Sequence, residues 1–440
     1  MKIAICTNFL YPEKIGGTEI YLKNLADCLI EMGNEVFWLV PNFNQNISID
    51  YQSDCGKWVV VKFAAIEKNN KPSLKFVAAS YINTLNKYNI DIIHFHEFGG
   101  FEGMSPYLIR IAKKEGYPVV VTLHVLSYLC KTGKLKFGGI PKCNGKISFY
   151  KCTSCSIFQS KTKFRWWNYF LTLVSYCFLF LVNKFGQSLL FKRINNNTHV
   201  SSTEYLLETL KESTDKILTV SSWFKSLLLI NGVDQNKLIH IDQLCTLPKI
   251  SNRNSSDFKI KKRLVFIGRI NKEKGIDLLL KTAQKLEYDD LLNELQIDVY
   301  GPLSSDDMKN SFYLNEIHKL KNVNYQGVVN QIDVYNILPN YKALLLPSIV
   351  IEMAPLVILE ANYLKVPVIA SDVLGSKEMI EKYQCGLLFE SDSVHDLIRS
   401  IKSLDNEDLN FNFLSNENDD IVSIANKHNE IYTSLLIEKI

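Results

Sequence analysis

Short apolar runs of strand length recur along this chain with helical patterns between them, and no other feature limits its fold as much. Ile3 to Cys6, Glu35 to Val40, Trp58 to Phe63, Ile92 to Phe95 and Val119 to Leu123 are such runs. Continuous apolar strands separated by helices make parallel sheets covered on both faces. Between the first two runs, Thr18 to Met32 places Ile20, Leu25, Cys28 and Leu29 at helical spacing and ends at Gly33. After Ile217 to Val220, a polar stretch from Lys249 to Lys262 interrupts the pattern. The alternation then resumes with Arg263 to Ile267, Gln296 to Tyr300, Asn322 to Gln326, Ala343 to Leu346 and Pro367 to Ala370.

A chain of 440 residues has room for two α/β domains of roughly 200 residues each. The polar stretch sets the expected boundary: one domain over residues 1–248, a second over 249–420. A last helical pattern within 421–440, after the polar residues Ser415 to Asp420, is expected to pack back on the first domain. Two doubly wound sheets joined this way are expected to face a central cleft at the carboxyl ends of their strands, where such sheets bind ligands.

The balance of residues excludes several classes. With 47% hydrophobic and 22% charged residues the chain is neither disordered nor a polytopic membrane protein. A net charge of +4, from basic residues read as scattered, argues against a nucleic-acid partner. The opening MKIAICTNFLYPE stops its apolar run at Tyr11 and Pro12 with no small-residue cleavage site, so it reads as a buried strand and not a signal peptide. A cytoplasmic location follows as an expectation, with the ten cysteines held reduced.

Three sites carry chemistry. Gly16 and Gly17 lie between the first strand and first helix, where backbone can approach a phosphate and a helix N-terminus can receive it. Phe266-Ile267-Gly268-Arg269 followed by Lys274-Gly275 sets two cations beside a glycine turn at a strand end, within reach of one diphosphate. Pro347-Ser348 and then Glu352 to Glu360 hold two carboxylates suited to sugar hydroxyls. If Pro355 opens a helix, the free N–H groups of Leu356 and Val357 point the same way. Each also has a plain reading, as a tight turn, solvated charges or helix-face residues.

In combination, Gly16-Gly17, FIGRINKEKG at 266–275, PSIVIEMAPLVILEA at 347–361 and PVIASDVLGSKEMI at 367–380 resemble the family 4 glycosyltransferases. Order and spacing match along nearly the whole chain. The resemblance implies the GT-B fold, with two Rossmann-like domains, and transfer with retention from a nucleotide-sugar donor; a UDP- or GDP-sugar is the expected donor, and a glycan or lipid-linked acceptor of a bacterial surface polysaccharide is expected from context. It implies that Arg269 and Lys274 grip the diphosphate, Glu360 the ribose and Glu352 the transferred sugar. His124 is similar to the family's first-domain histidine near the reacting carbon. His94 and His96 are similar to strand-end residues of that domain. The acceptor is thought to attack on the leaving-group face with a phosphate oxygen taking its proton, so no protein nucleophile and no catalytic cofactor is expected. The absence of a D-x-D pair agrees. Two departures are Pro355, where many members have glycine, and IDQLCTLPK at 241–249, which replaces a glycine turn near the hinge. An epimerase or phosphorylase on the same architecture, and a non-catalytic scaffold, are the rival readings.

An insert at about 127–195 holds two further features. Cys130, Cys143, Cys152 and Cys155 fall close together and end in a C-x-x-C, a set that could hold a structural zinc or stand as unliganded or redox thiols. Trp166 to Val182 carries no charge, with Lys161, Lys163 and Arg165 before it and Lys184, Lys192 and Arg193 after it. At about 25 Å as a helix, it is short of a bilayer span and is expected to lie at a membrane surface, through residues 161–193, or to pack on the protein.

Overall fold

The structure, a computed structural model, describes residues 1–13, 16–43, 48–54, 56–65, 73–98, 104–140, 142–158, 165–185, 199–243, 262–289, 294–303, 307–406, 409–414 and 421–438. The linker 249–261, the end of 241–249, the acidic stretch 415–420, and Lys161, Lys163, Lys192 and Arg193 lie outside the described residues.

The chain divides into two compact units, Met1–Leu244 with Asn418–Ile440, and Cys245–Glu417. The first unit opens with β1 (Lys2–Cys6), α1 (Gly17–Glu31), β2 (Glu35–Asn42), β3 (Ile49–Gln52), β4 (Val59–Ala64), α2 (Leu74–Tyr88), β5 (Ile92–Phe95), α3 (Pro106–Lys114) and β6 (Val119–Leu123). It continues through α4 (Phe149–Phe158), α5 (Arg165–Phe185), α6 (His199–Glu212), β7 (Lys216–Thr219), α7 (Ser222–Ile230) and β8 (Leu238–His240). Its sheet runs β3-β4-β2-β1-β5-β6-β7-β8. All pairs are parallel except β3 with β4, which are antiparallel at the edge.

The second unit contains β9 (Arg263–Ile267), α8 (Ile276–Leu286), β10 (Gln296–Tyr300), α9 (Asp307–His318), β11 (Val323–Gly327), α10 (Gln331–Ile337), β12 (Ala343–Leu346), α11 (Leu356–Tyr363), β13 (Val368–Ser371), α12 (Leu374–Tyr383), β14 (Gly386–Phe389) and α13 (Val394–Ser403). Its sheet order is β11-β10-β9-β12-β13-β14, parallel throughout. Renumbered from β9 this is 3-2-1-4-5-6, the doubly wound order whose strand direction of growth reverses between β9 and β12. The first sheet reverses in the same way between β1 and β5.

The strands form where apolar runs are buried on both faces: β6 (VVVTL) and β12 (ALLL) are buried at every position. The final helix, α14 (Ile421–Ile437), packs against α1. It places Ile424, Ala425, Tyr432 and Leu435 in one core with Tyr21, Leu22, Leu25 and Leu29. Some strands are short or thinly buried. β3 (IDYQ) is exposed throughout, β8 has three residues, and in β14 only Phe389 is buried.

Candidate functional site

In the second unit the charged residues gather at the reversal point. β9 delivers Gly268 and Arg269, and β12 delivers Pro347, Ser348 and the loop to Glu352. Gly275, at φ 83°, caps α8 in the left-handed region, and a Cβ there would stand 1.8 Å from the carbonyl oxygen of Pro347. No other residue lets the two loops lie this close. They are tied by the Ile349 N–H, which donates to the backbone carbonyl oxygen of Glu273 at 3.0 Å. Gly375 plays the same part on the far side, since a Cβ there would stand 1.8 Å from the Glu352 carbonyl oxygen.

Within this frame Lys274 Nζ donates to Glu352 Oε2 at 2.6 Å, and the hydroxyl of Ser348 donates to Oε1. Ser348 is itself fixed, its carbonyl receiving the Ser371 hydroxyl at 2.6 Å. Burial would push the Glu352 carboxyl up. The Lys274 charge and hydrogen bond, the Ser348 hydroxyl and the Arg269 charge together outweigh it and hold the group below its ordinary value. Glu352 is therefore an anion at neutral pH. Arg269 is exposed at the strand end. These three side chains sum to one positive charge, enough to attract a diphosphate but not to neutralise it.

Pro355 is the residue before α11, at φ −68° and ψ 118°, rather than its first turn. Leu356 and Val357 are the first helical residues, so their N–H groups have no intrahelical acceptor. Glu360 is buried on the same helix.

In the first unit Gly16 caps α1 in extended conformation and Gly17 begins the helix. A Cβ on Gly16 would stand 2.7 Å from Glu19 Oε2. The bare backbone there makes room for the chain's own carboxylate at the helix start, a contact the Gly-Gly pair alone does not reveal.

His124 follows β6 and is buried, with Nε2 3.0 Å from His96 Nδ1. His94, fully buried on β5, meets Tyr432 Oη at 2.6 Å through Nδ1 and Thr122 Oγ1 at 2.7 Å through Nε2. His428 on α14 meets Tyr21 Oη at 2.9 Å. Burial lowers all four imidazoles: His124 falls to about 3, helped by the His428 charge, and His428 to about 4. His94 and His96 lie well below the ordinary value, first by burial and then by neighbouring imidazoles. His124 is thus a neutral ring, a hydrogen-bonding and packing group rather than a cation. Tyr21, Tyr432 and His428 sit at helix-face positions that nothing in their sequence neighbourhood marks.

Cys130, Cys143, Cys152 and Cys155 line one pocket together with Lys131, Lys136, Lys146 and Lys151. The Gly145 N–H donates to Cys143 Sγ at 3.4 Å. Burial raises Cys152, and raises Cys155 to about 11. Among the described residues no three ligating side chains stand close enough to hold a metal as arranged. A zinc would require the thiols to come closer together than they stand here.

The fold of two parallel α/β sheets is shared with solved sugar transferases. A sucrose-phosphate synthase from Thermosynechococcus elongatus superposes with TM-score 0.66 at 15% identity, covering 99% of each chain. Anabaena HepE in complex with UDP and glucose does so with TM-score 0.60 at 14% identity, covering 99% of this chain and 100% of that one. The architecture is GT-B. Residues 15–151 match Glycosyltransferase Family 4 and residues 249–420 match Glycosyl transferases group 1. An uncharacterised 41.2 kDa protein in the cps region of Klebsiella pneumoniae is 22% identical over 380 residues, 83% of this chain and 85% of that one. The chain belongs to the family 4 glycosyltransferases.

Proposed function

We propose that this glycosyltransferase moves a sugar, with retention, from a nucleotide diphosphate sugar to a glycan or lipid-linked acceptor in surface polysaccharide synthesis, at the cytoplasmic face of the cell membrane. The observation that carries the reading is the Lys274–Glu352–Ser348 cluster with Arg269 at the reversal point of the 3-2-1-4-5-6 sheet. UDP in the HepE complex supports a UDP-sugar as donor, and the cps-region relative supports the acceptor class.

In this reading Arg269 and Lys274 hold the diphosphate and stabilise the charge that grows on it as the glycosidic bond breaks. Glu352 orients the transferred sugar, Glu360 the ribose, and the N–H groups of Leu356 and Val357 add donors; in the first unit the Gly17 N–H is a further donor for phosphate. Gly16, whose missing side chain leaves room for Glu19, opens the helix start of the first unit, and His124 of the same unit supplies a neutral ring for the donor sugar. A phosphate oxygen of the departing group takes the acceptor proton, and no protein nucleophile or catalytic metal takes part.

A thermal-shift screen against UDP, GDP, ADP and CMP and their sugar conjugates tests this. A ligand that binds only the folded state raises its melting temperature. One nucleotide is expected to do so, and Arg269→Ala is expected to remove the shift. A folded protein that answers to none of them would favour the non-catalytic scaffold.

The four thiols with their ring of lysines are proposed to take up one structural zinc, whose tetrathiolate carries negative charge that the lysines offset. Metal analysis of purified protein is expected to find about one zinc per chain, and a folded, metal-free preparation removes the assignment.

A further inference from the structure

The helix α5 is built inside out. Trp166 is 74% exposed and Phe178 64%, and Trp167, Phe170, Val174 and Leu181 are each at least half exposed. At 100° per residue these six fall within about 120° of arc. The opposite side carries the buried Asn168 and Thr172. Tyr169 and Tyr176 meet Phe137 edge-on at 6.2 and 6.4 Å. Gly138 is what admits the helix to this seat, since a Cβ there would stand 2.8 Å from Tyr169 Cα. A helix of a soluble surface hides its apolar side and shows its polar one. Here the polar side is held on the protein and the apolar side is offered outward.

The charge of the segment that contains the helix says what it is offered to. From Gly116 to Thr203 the sequence has twelve Lys and Arg residues and no Asp or Glu. The basic residues are therefore less evenly spread than the bulk balance implies: the whole chain is +4, so everything outside this segment is net negative. A protein partner need not be acidic, but a bacterial inner leaflet is, and each basic residue near such a surface adds to the attraction. Among the described residues no helix is long and apolar enough to cross a membrane.

We infer that α5 docks in the interfacial layer of an anionic bilayer, with Trp166, Trp167, Phe170, Val174, Phe178 and Leu181 inserted and the net positive charge of 116–203 drawing this part of the chain to the headgroups. This deepens the membrane-surface part of the proposed function and rests on it for its setting, but lipid binding is read without any donor or acceptor.

The test is co-sedimentation of the full chain with phosphatidylglycerol–phosphatidylethanolamine vesicles and with phosphatidylcholine vesicles, at low and high salt. Binding to the anionic vesicles is expected, weakened by salt and by loss of the anionic lipid. Phe170→Asp with Phe178→Asp is expected to reduce it by on the order of tenfold or more, with melting temperature and nucleotide-induced shift unchanged. If that variant melts early, Phe170→Ser with Phe178→Ser replaces it. Absence of anionic-vesicle binding by the wild type, or equal binding by a folded variant, overturns the inference. So does a lipid-free dimer that the substitutions dissociate, which would make the stripe a contact between copies. Loss of the nucleotide shift with vesicle binding intact would count against the catalytic reading alone.

Discussion

Lys274→Ala is expected to slow sugar transfer by about 10²- to 10³-fold and, separately, to destabilise the second unit. The lysine has two tasks. In the proposed reaction it is a fixed cation for the departing diphosphate. Toward the protein it partners Glu352 at 2.6 Å, where the two side chains are 23% and 12% exposed. Removing one member of so enclosed a pair leaves a desolvated charge, which costs about 3–5 kcal/mol in comparable cases. Glu352→Ala should also abolish measurable transfer, but with less loss of stability, because a surviving Lys274 can reach water. The double substitution separates the two tasks. It should recover much of the melting temperature lost in Lys274→Ala and none of the activity. Turnover of Glu352→Ala at the wild-type rate would remove the residue from the sugar site.

Mild acid is expected to unfold the first unit before the carboxylates of the chain titrate. His94, His96, His124 and His428 are held neutral when folded, His124 lowered to about 3, His428 to about 4, and His94 and His96 well below the ordinary value, all chiefly by burial. In the unfolded chain they protonate near 6.5. Between these limits the unfolded state binds more protons, so stability is full above about pH 6.5 and falls as pH drops through it. Each such histidine contributes a slope of about 1.4 kcal/mol per pH unit, up to about 5 kcal/mol per unit for four. The melting temperature from pH 7.5 to 5 should therefore drop steeply. Replacing His428 by Gln, which preserves a hydrogen-bonding group toward Tyr21, should flatten the slope by about a quarter if the four contribute alike. An unchanged profile would mean that the cluster admits protons without opening.

Most of the architecture was legible because it rests on burial. The strands at 92–95, 119–123, 263–267, 296–300 and 343–346 fall where their apolar runs stand in the sequence. β3 escaped because an exposed edge strand pairs through its backbone and needs no apolar residue, and β14 because its apolar run, Leu387 to Phe389, is only three residues long. The candidate site was legible where glycine and charge punctuate strand ends, at 268–275 and 347–352. Ser348 was visible but had no assigned part until its hydroxyl was found on Glu352. The His124 environment was not legible. Two of its neighbours, Tyr21 and His428, come from helices 407 positions apart, and only the packing of α14 on α1 brings them together. The outward side of α5 was hidden for the opposite reason: an uncharged run states that a helix is apolar, not which way it is turned.

That packing of α14 also sets an order on biosynthesis. The ribosome delivers the first 244 residues of the first unit, then the whole second unit, and only afterwards the helix that supplies Tyr432 to His94 and His428 to Tyr21. Until then the earlier half waits with an uncovered apolar groove on α1. A nascent chain of this design matures from its later half backward, and a premature stop near residue 420 would leave the first-made domain as the unfinished one.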